Sequence, residues 1–362
     1  MLHNTPWPKS LTAKRLNQAA TGSARLIRCG GLGLLTLLVG VGFVASLALG
    51  SVAIPPAEVV TVLLGGQASN PVWGDIIWQF RLPRALTAAA AGAALGISGV
   101  QLQALFRNPL AGPSVLGINA GASLGAALVV LTGSAVGYGF SGWWSQLSLA
   151  GAASLGAALA MGLVMLVAQR VRSSLALLIF GLMLGYTTTA LVTILLHFST
   201  IEQTVAYISW TFGSFAGVTW QQMPVLLPVI GLGLGMSLLF WRSLNLLLLG
   251  DEQAQSLGLS MGLVRLYLIF SASLLAGTVT AFCGPIAFLG VAVPHLGRTL
   301  FRTFDHRLLL PASALLGALL ALVADGVAQL PGSQTVLPLN AVTALIGAPI
   351  LIWLMLKQFR LF

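Results

Sequence analysis

Long apolar segments recur from one end of this sequence to the other, each about 20 residues in length. An α-helix of that length crosses the roughly 30 Å hydrocarbon core of a bilayer and satisfies its own backbone hydrogen bonds there. The pattern therefore predicts an all-α, polytopic membrane protein with about ten transmembrane helices. The predicted spans are 30–50, 85–105, 114–132, 147–168, 175–197, 222–241, 266–283, 286–302, 308–330 and 338–356.

Charged side chains are too few to cover a water-facing surface. They make up 7% of the 362 residues, whereas a soluble domain typically carries about 25%. The two cysteines, Cys29 and Cys283, lie far apart in sequence, which excludes a disulfide scaffold and a zinc cluster. His197 and His295 could suggest haem ligation, but a packed or interfacial role suits each of them better. We predict no metal site.

The Lys and Arg residues predict how the chain is oriented. Placing the N-terminus inside puts all of the 17 basic residues on the cytoplasmic side except Arg81 and Arg84. Both termini are then cytoplasmic, with residues 1–29 as an N-terminal tail and residues 30–362 as a single transmembrane domain. Because this topology accounts for the net charge of +10, no nucleic-acid partner is predicted.

Glycine and proline shorten or interrupt two of the predicted spans. Gly112-Pro113 precedes most of the third span, and Gly284-Pro285 precedes the eighth, which also contains Pro294. Broken helices survive in a bilayer only where protein or a water-filled cavity covers the freed backbone groups. Since the second span runs inward and the seventh outward, spans two to five and seven to ten are predicted to form inverted halves.

Several separate motifs carry a resemblance to a known family. They are Arg81-Leu82-Pro83-Arg84, Arg107-Asn108-Pro109-Leu110-Ala111, Gly112-Pro113-Ser114-Val115-Leu116-Gly117, Gly284-Pro285-Ile286-Ala287-Phe288-Leu289-Gly290, Pro294-His295-Leu296-Gly297-Arg298, Asp305-His306-Arg307 and Val342-Thr343-Ala344-Leu345-Ile346-Gly347-Ala348-Pro349. Over roughly residues 55–357 the sequence resembles the FecCD-type permeases, the membrane subunits of ABC importers for iron–siderophore complexes, haem and cobalamin. The resemblance implies a ten-helix subunit that forms the pathway with a second permease, either a copy or a paralogue. It also implies two cytoplasmic ATPases and one external binding protein.

The polar inner segment 243–265 is predicted to contact a partner on the cytoplasmic face. Acidic side chains suit the positive N-terminal end of a helix, and a glycine often ends a helix. Two short amphipathic helices would suit a partner with an apolar groove. The resemblance implies that this segment couples the permease to the ATPase. The alternative is a surface loop lying on lipid headgroups. The spacing of Ala254 and Leu257 by three residues predicts that they share one helix face. The residues concerned are Asp251, Glu252, Ala254, Leu257 and Gly258, with Ser260 as the cap of a second short helix that ends near Arg265.

Arg81 and Arg84 are the only cations on the predicted outer side, and a spacing of three places them on nearly one helix face. Paired arginines can hold carboxylates by forked hydrogen bonds. The resemblance implies that both dock the external binding protein, and it places Gln329 where a third docking arginine can occur. The alternative is that they only anchor a helix end at the interface. Asp325, near the outer end of the ninth span, is expected to face water close to these arginines.

The resemblance also implies a cytoplasmic gate. It consists of Asn108 and Leu110, after the second span, and Ser173 and Ser174, between the fourth and fifth spans. Small polar and apolar residues suit a gate that must seal against water and still release a large ligand. On the residues alone, Asn-Pro is a loop opener and Ser-Ser a helix cap.

The sequence therefore predicts a permease subunit in a bacterial inner membrane that passes an iron chelate, a siderophore complex or haem, inward by alternating access. The chain has no Walker A pattern, so it is predicted not to be an enzyme and to bind no cofactor itself. ATP and Mg²⁺ are expected on the partner ATPases. The pathway should be low in charge, because the binding protein supplies recognition. The alternatives are a cobalamin importer permease and an ion-coupled secondary transporter.

Overall fold

The computed structural model describes residues 30–50, 52–132, 143–171, 173–329 and 336–359. These residues form helices and connecting turns and no strand, which confirms the all-α prediction. The N-terminal tail 1–29 lies outside them. The α-helices are α1 (Gly30–Ala48), α2 (Pro56–Leu63), α3 (Pro71–Asp75), α4 (Leu82–Phe106), α5 (Ile118–Thr132), α6 (Trp143–Arg170), α7 (Ser174–His197), α8 (Ile201–Thr211), α9 (Met223–Leu239), α10 (Trp241–Leu247), α11 (Asp251–Ser256), α12 (Met261–Cys283), α13 (Leu289–Phe301), α14 (His306–Ala328) and α15 (Leu339–Phe359).

Each predicted span contains a helix, but the helices differ in their capacity to cross a bilayer. In the described part of the chain, 6 helices are long and apolar enough, or 7 if α9 and α10, bent by 55° at residue 240, count as one span. The third and eighth spans are short because α5 has 15 residues and α13 has 13. The number of ten spans, the side on which the termini lie and the inverted halves therefore stay predictions.

The two glycine–proline breaks are where the short spans begin. Pro113–Leu116 forms a 3-10 turn, and Gly117 leads into α5 in a left-handed conformation with φ 71°. Gly284 ends α12 with φ 76°, where the backbone of the 210–214 turn approaches so closely that an added Cβ would lie 2.5 Å from the Trp210 carbonyl oxygen. Glycine alone fits both conditions, since it has no Cβ and tolerates positive φ.

The second span begins earlier than predicted. A π-helix (Ile76–Arg81) joins α3 to α4, giving a continuous helical stretch Pro71–Phe106. Pro83 has no N–H, and its ring crowds the carbonyl of the preceding turn, so a widened turn relieves the clash. In this turn the Leu82 N–H reaches the Ile77 carbonyl. The extra residue rotates Arg81 toward the protein interior, where the residue is 9% exposed.

Helix α4 lies at the centre of the fold and packs against α12, α13 and α14. Glycines on α4 allow direct backbone contact with two of these helices. A Cβ added to Gly92 would overlap the Gly317 carbonyl of α14, and one added to Gly99 would overlap the Gly290 carbonyl of α13. Small residues are the usual means of close helix packing in a bilayer.

Candidate functional site

Arg81 on the predicted outer side is bound inside the chain. Its Nη1 donates to the Leu47 carbonyl at 2.7 Å and to the Ala48 carbonyl at 3.0 Å, and its Nη2 donates to the Val52 carbonyl. The last carbonyls of a helix have no intrahelical partner, so this guanidinium caps the end of α1. Docking by Arg81 stays a prediction, and it would require these hydrogen bonds to open.

Arg84 is paired with a carboxylate of its own chain. Its Nε lies 2.9 Å from both oxygens of Asp325, and its Nη2 lies 2.9 Å from Oδ1. The Gln329 amide donates to the same carboxylate at 2.8 Å. The Asp325 side chain is 1% exposed and that of Arg84 is 17% exposed. The expectation that Asp325 lies near the outer arginines is right, but the expectation that it faces water is wrong, because α4 and α14 bury the pair between them.

A cavity of about 470 Å³ lies beside these arginines. Residues that follow α1, residues of the π-helix, the start of α4 and the 216–219 segment line this cavity. The predicted outer ends of several helices therefore meet here. Part of the Arg84 side chain stays exposed here, and docking of the binding protein by Arg84 stays a prediction. The lining residues are Gly50, Val52, Ile76, Gln79, Phe80, Arg81, Arg84, Ala216, Val218, Thr219 and Gln329.

The first pair of predicted gate residues lies in a tight turn after α4. Arg107 adopts a left-handed conformation with φ 47°, and the Asn108 side-chain oxygen accepts the Leu110 N–H at 2.9 Å. His295 Nε2 donates to the Pro109 carbonyl at 2.9 Å, since that carbonyl can only accept. The Leu110 side chain remains 44% exposed. The turn is therefore held from α13, while the leucine side chain stays partly exposed.

The second pair of predicted gate residues lies at the start of α7. Ser173 caps this helix by accepting the Ala176 N–H at 3.3 Å, as expected from a helix cap. The Ser174 hydroxyl donates to the Leu105 carbonyl at 3.4 Å, near the end of α4. The structure thus brings the two predicted gate segments to the same end of the molecule. Their role as a gate stays a prediction.

A central cavity of about 450 Å³ lies where the two glycine–proline breaks meet. Leu110 of the predicted gate contributes to it, together with Ser114, Asn119 and Asn340 as polar groups. None of the described residues that line it is charged. The lining residues are Leu95, Leu110, Pro113, Ser114, Asn119, Pro285, Ile286, Ala287, Phe288, Gly290, Val291, Asn340 and Leu351.

Two asparagines of this cavity were not singled out from the sequence. The Asn340 side-chain oxygen accepts the Ala287 N–H at 3.1 Å, and that of Asn119 accepts the Thr280 hydroxyl at 3.1 Å. Asn340 therefore satisfies a backbone group freed by the Gly284-Pro285 break. An amide within an otherwise apolar predicted span is the signal that could have indicated both residues.

The predicted coupling segment forms α10, α11 and the start of α12. Asp251 pairs with Arg107, and Arg265 approaches its other oxygen at 3.9 Å. Arg265 also donates to the Val171 carbonyl at 3.0 Å, so this segment contacts the ends of α4 and α6. Glu252 is exposed in the first turn of α11, where an acidic group suits the helix dipole.

Two details of the coupling segment differ from the prediction. Ala254 and Leu257 do not share a face, because α11 ends at Ser256 and Leu257 is its C-cap. Ala254 is fully buried, whereas Leu257 is 61% exposed. Gly258 stops the helix with φ 90°, as predicted. The second short helix is wrong, since α12 begins at Met261 and continues to Cys283 without a break. Leu257 is thus an apolar side chain that a partner could reach, as are Leu248 and Leu249 just before α11.

Comparison with known proteins agrees with this architecture. The model of the FecCD transport family matches residues 37–357. The vitamin B12 import system permease protein BtuC of Klebsiella pneumoniae subsp. pneumoniae is 40% identical over 332 residues, covering 90% of this chain and 92% of that protein. The BtuC of Salmonella typhi is 39% identical over 290 residues, covering 78% and 84%.

A solved structure shows the same fold. It is described as an inward-facing conformation of an ABC transporter of the metal-chelate type, and it is 33% identical with a TM-score of 0.79. The match covers 90% of this chain and 98% of that one. A family match over most of the sequence, relatives at 40% identity and a shared fold lead to one conclusion: the chain belongs to the FecCD transport family and is the membrane permease of an ABC importer.

Proposed function

We propose that this protein is the permease of a cobalamin import system in a bacterial inner membrane. The observation that carries the proposal is the similarity to vitamin B12 permeases over nearly the whole length of both chains. Two partner ATPases would bind and hydrolyse ATP, and an external binding protein would deliver the corrinoid. Cobalamin, the alternative predicted from the sequence, thus has more support than the iron chelate that was predicted first.

The uncharged central cavity suits such a ligand. A corrinoid presents an apolar ring edge and many neutral amide groups, which hydroxyl and amide side chains can contact without a deep energy well. Ser114, Asn119 and Asn340 offer such groups among apolar neighbours. A conduit needs contacts that are weak enough for the ligand to leave.

The pathway is proposed to run between two permease subunits, since a corrinoid is larger than the central cavity, and the cavity would form part of the wall of that pathway. Helix α7 is the proposed lining because it exposes polar groups within a predicted span. Tyr186 is 64% exposed, and Thr187 and Thr189 are exposed on the same helix. The Thr187 and Thr189 hydroxyls donate to carbonyls of their own helix, so the exposed Tyr186 hydroxyl is the group that is better placed against a water-filled path than against lipid.

A ferric chelate remains the second candidate ligand. The observation that favours it is the solved structure of similar fold, which is described as belonging to a transporter of metal chelates. An ion-coupled secondary transporter is no longer a candidate, because the chain belongs to a family of ABC permeases.

Uptake by reconstituted vesicles is the test of the ligand. Vesicles that contain the permease and its partner ATPases, supplied with a cobalamin-loaded binding protein, are expected to accumulate cobalt on ATP addition at least about tenfold faster than without ATP. A parallel sample receives a ferric-siderophore-binding protein, and iron is measured. An ATPase variant without its Walker A lysine serves as the control. Accumulation of iron and not of cobalt would reject cobalamin in favour of the second candidate.

The exposed end of α11 is proposed to seat in a groove of the ATPase. We expect Leu257→Asp to lower ATP-driven uptake at least about tenfold, because a charge would enter an apolar contact, while the permease still inserts and folds. Ala254→Asp would not separate these effects, since Ala254 is buried within the chain. Gln255→Asp, an exposed neighbour on α11, is the matched control. Unchanged uptake and unchanged ATPase association in Leu257→Asp would remove this residue from the contact.

A further inference from the structure

A single amide joins α10 to the beginning of α14. The side-chain oxygen of Asn245, on α10, accepts the His306 backbone N–H at 2.8 Å and its ring Nδ1–H at 2.7 Å. The Asn245 amide nitrogen donates to Asp305 Oδ1 at 2.7 Å. All three hydrogen bonds go to Asp305, the N-cap of α14, or to His306, its first residue. Asn245 therefore fixes the start of this helix against α10.

The two residues that Asn245 contacts are also fixed by their own capping and burial. Asp305 caps α14 by accepting the Arg307 N–H at 3.0 Å, and His306 is 1% exposed. Burial alone would raise the pKa of the Asp305 carboxyl, but the hydrogen bonds from Asn245 and from the Arg307 backbone hold it below its ordinary value. The carboxylate therefore stays ionised near neutral pH and is a strong acceptor for the Asn245 amide.

Asn245 lies close in sequence to the proposed ATPase contact. Helix α10 is 7 residues long, and only residues 248–250 separate it from α11. The N–H groups of residues 248, 249 and 250 donate to the carbonyls of residues 245, 246 and 247 at 3.2, 3.1 and 3.3 Å, so hydrogen-bonded turns continue from α10 to α11. A displacement of α11 by a partner would therefore be transmitted to Asn245 through a short hydrogen-bonded stretch.

The far end of α14 carries the buried carboxylate of the outer pair. This helix has 23 residues, so Asp325 lies roughly 30 Å from His306 along its axis. The backbone contact between Gly317 and Gly92 fixes α14 against α4 between these two points. At its predicted cytoplasmic end α14 is bound by Asn245, and at its predicted outer end it binds Arg84.

We propose that Asn245 is a positioning residue through which the ATPase-contacting segment sets the position of α14, and thereby of the Arg84–Asp325 pair at the other side of the membrane. The inference deepens the proposed function and rests on it for the identity of the partner. It gives the importer a physical connection by which nucleotide binding inside alters the surface that receives the binding protein. Such a connection is an allosteric coupling between two separate sites.

A spectroscopic readout tests the connection without relying on the cargo. A spin label is placed at Val327, which is 46% exposed near the outer end of α14, after Cys29 and Cys283 have been replaced by serine. In the complex with its ATPases, ATP binding is expected to change the mobility of this label. Asn245→Asp places a second carboxylate against Asp305 and should lower the ATP-induced change at least about fivefold.

A charge swap then separates position from folding. In Asn245→Asp, Asp305→Asn the hydrogen bond reforms with donor and acceptor exchanged, and asparagine still caps a helix, so the ATP-induced change should return to within about threefold of wild type. Asp305→Ser is a further variant, which keeps the cap but is too short to reach Asn245 and should therefore lower the response. Asn70→Asp, the same exchange at the cap of α3, is the control and should leave it unchanged.

The outcomes decide between the inference and the proposed function. A wild-type label that does not respond to ATP, or a response that persists in both Asn245→Asp and Asp305→Ser, overturns the inference. So does a swap variant that assembles normally and stays as defective as Asn245→Asp. An ATP response with no cobalamin uptake would instead reject the proposed ligand and leave the inference standing.

Discussion

Arg84→Glu is expected to abolish uptake and to lower the amount of folded permease. The substitution breaks the pair with Asp325 and places two carboxylates together where Asp325 is 1% exposed. Removing one partner of a buried ion pair typically costs about 3–5 kcal/mol, and a like charge adds to this. The measurements are the yield of monodisperse protein in mild detergent and uptake per folded molecule. Normal yield and normal uptake would contradict both roles of Arg84.

A second variant separates docking from folding. Arg84→Asp, Asp325→Arg restores an ion pair but exchanges the two charges between α4 and α14. If Arg84 also docks an acidic surface of the binding protein, the swapped protein should fold and still transport poorly, with a defect that depends on ionic strength. Full recovery of uptake with the swap would mean that Arg84 acts only within the permease. Arg81 would serve poorly here, because replacing it removes the cap of α1.

Gly317→Leu is expected to prevent α4 and α14 from packing. A Cβ at this position would overlap the Gly92 carbonyl oxygen. That oxygen belongs to the backbone of α4, and one residue of a helix backbone cannot move aside without its neighbours. Overpacking by flexible side chains costs about 1–3 kcal/mol, so a clash with backbone should cost more and remove most of the folded protein. Thermal stability in detergent, followed by size-exclusion chromatography, measures the effect.

The same helix provides the control for this prediction. Gly326→Leu changes a glycine of α14 that has nothing within 4 Å of an added Cβ, so its stability should stay within about 0.5 kcal/mol of wild type. If Gly317→Leu were as stable as Gly326→Leu, the backbone contact between α4 and α14 would not be what holds these helices together.

The sequence was sufficient to predict a helix in each span and the two glycine–proline breaks, because these depend on local chemistry. Apolar runs specify spans, and Gly112-Pro113 and Gly284-Pro285 mark where a helix must stop. The family resemblance supplied the class of transporter, which the comparisons confirm, and an all-helical permease fold, which the solved structure shares; the number of ten spans stays a prediction. The nature of the ligand could not be predicted in this way, because the chain shows no charged or metal-binding pattern that would distinguish one ligand from another.

Contacts between distant segments could not be predicted in the same way. The Arg84–Asp325 pair joins residues 241 positions apart, and a single sequence does not show which helices meet. The inward rotation of Arg81 depends on the π-helix that Pro83 favours. The extra residue in this turn rotates the side chains before Pro83 by one position around the helix axis. Likewise, the i, i+3 spacing of Ala254 and Leu257 predicts one face only if the helix continues, and α11 ends at Ser256.

The uncharged lining of the central cavity has an evolutionary consequence. A conduit that contributes little to recognition needs few changes when its cargo changes, because selection then acts mainly on the external protein that captures the ligand. Duplication of an importer followed by divergence of its binding protein could thus turn a corrinoid importer into one for another chelate. Family members with different cargoes should then differ less at Ser114, Asn119 and Asn340 than at the surface around Arg84.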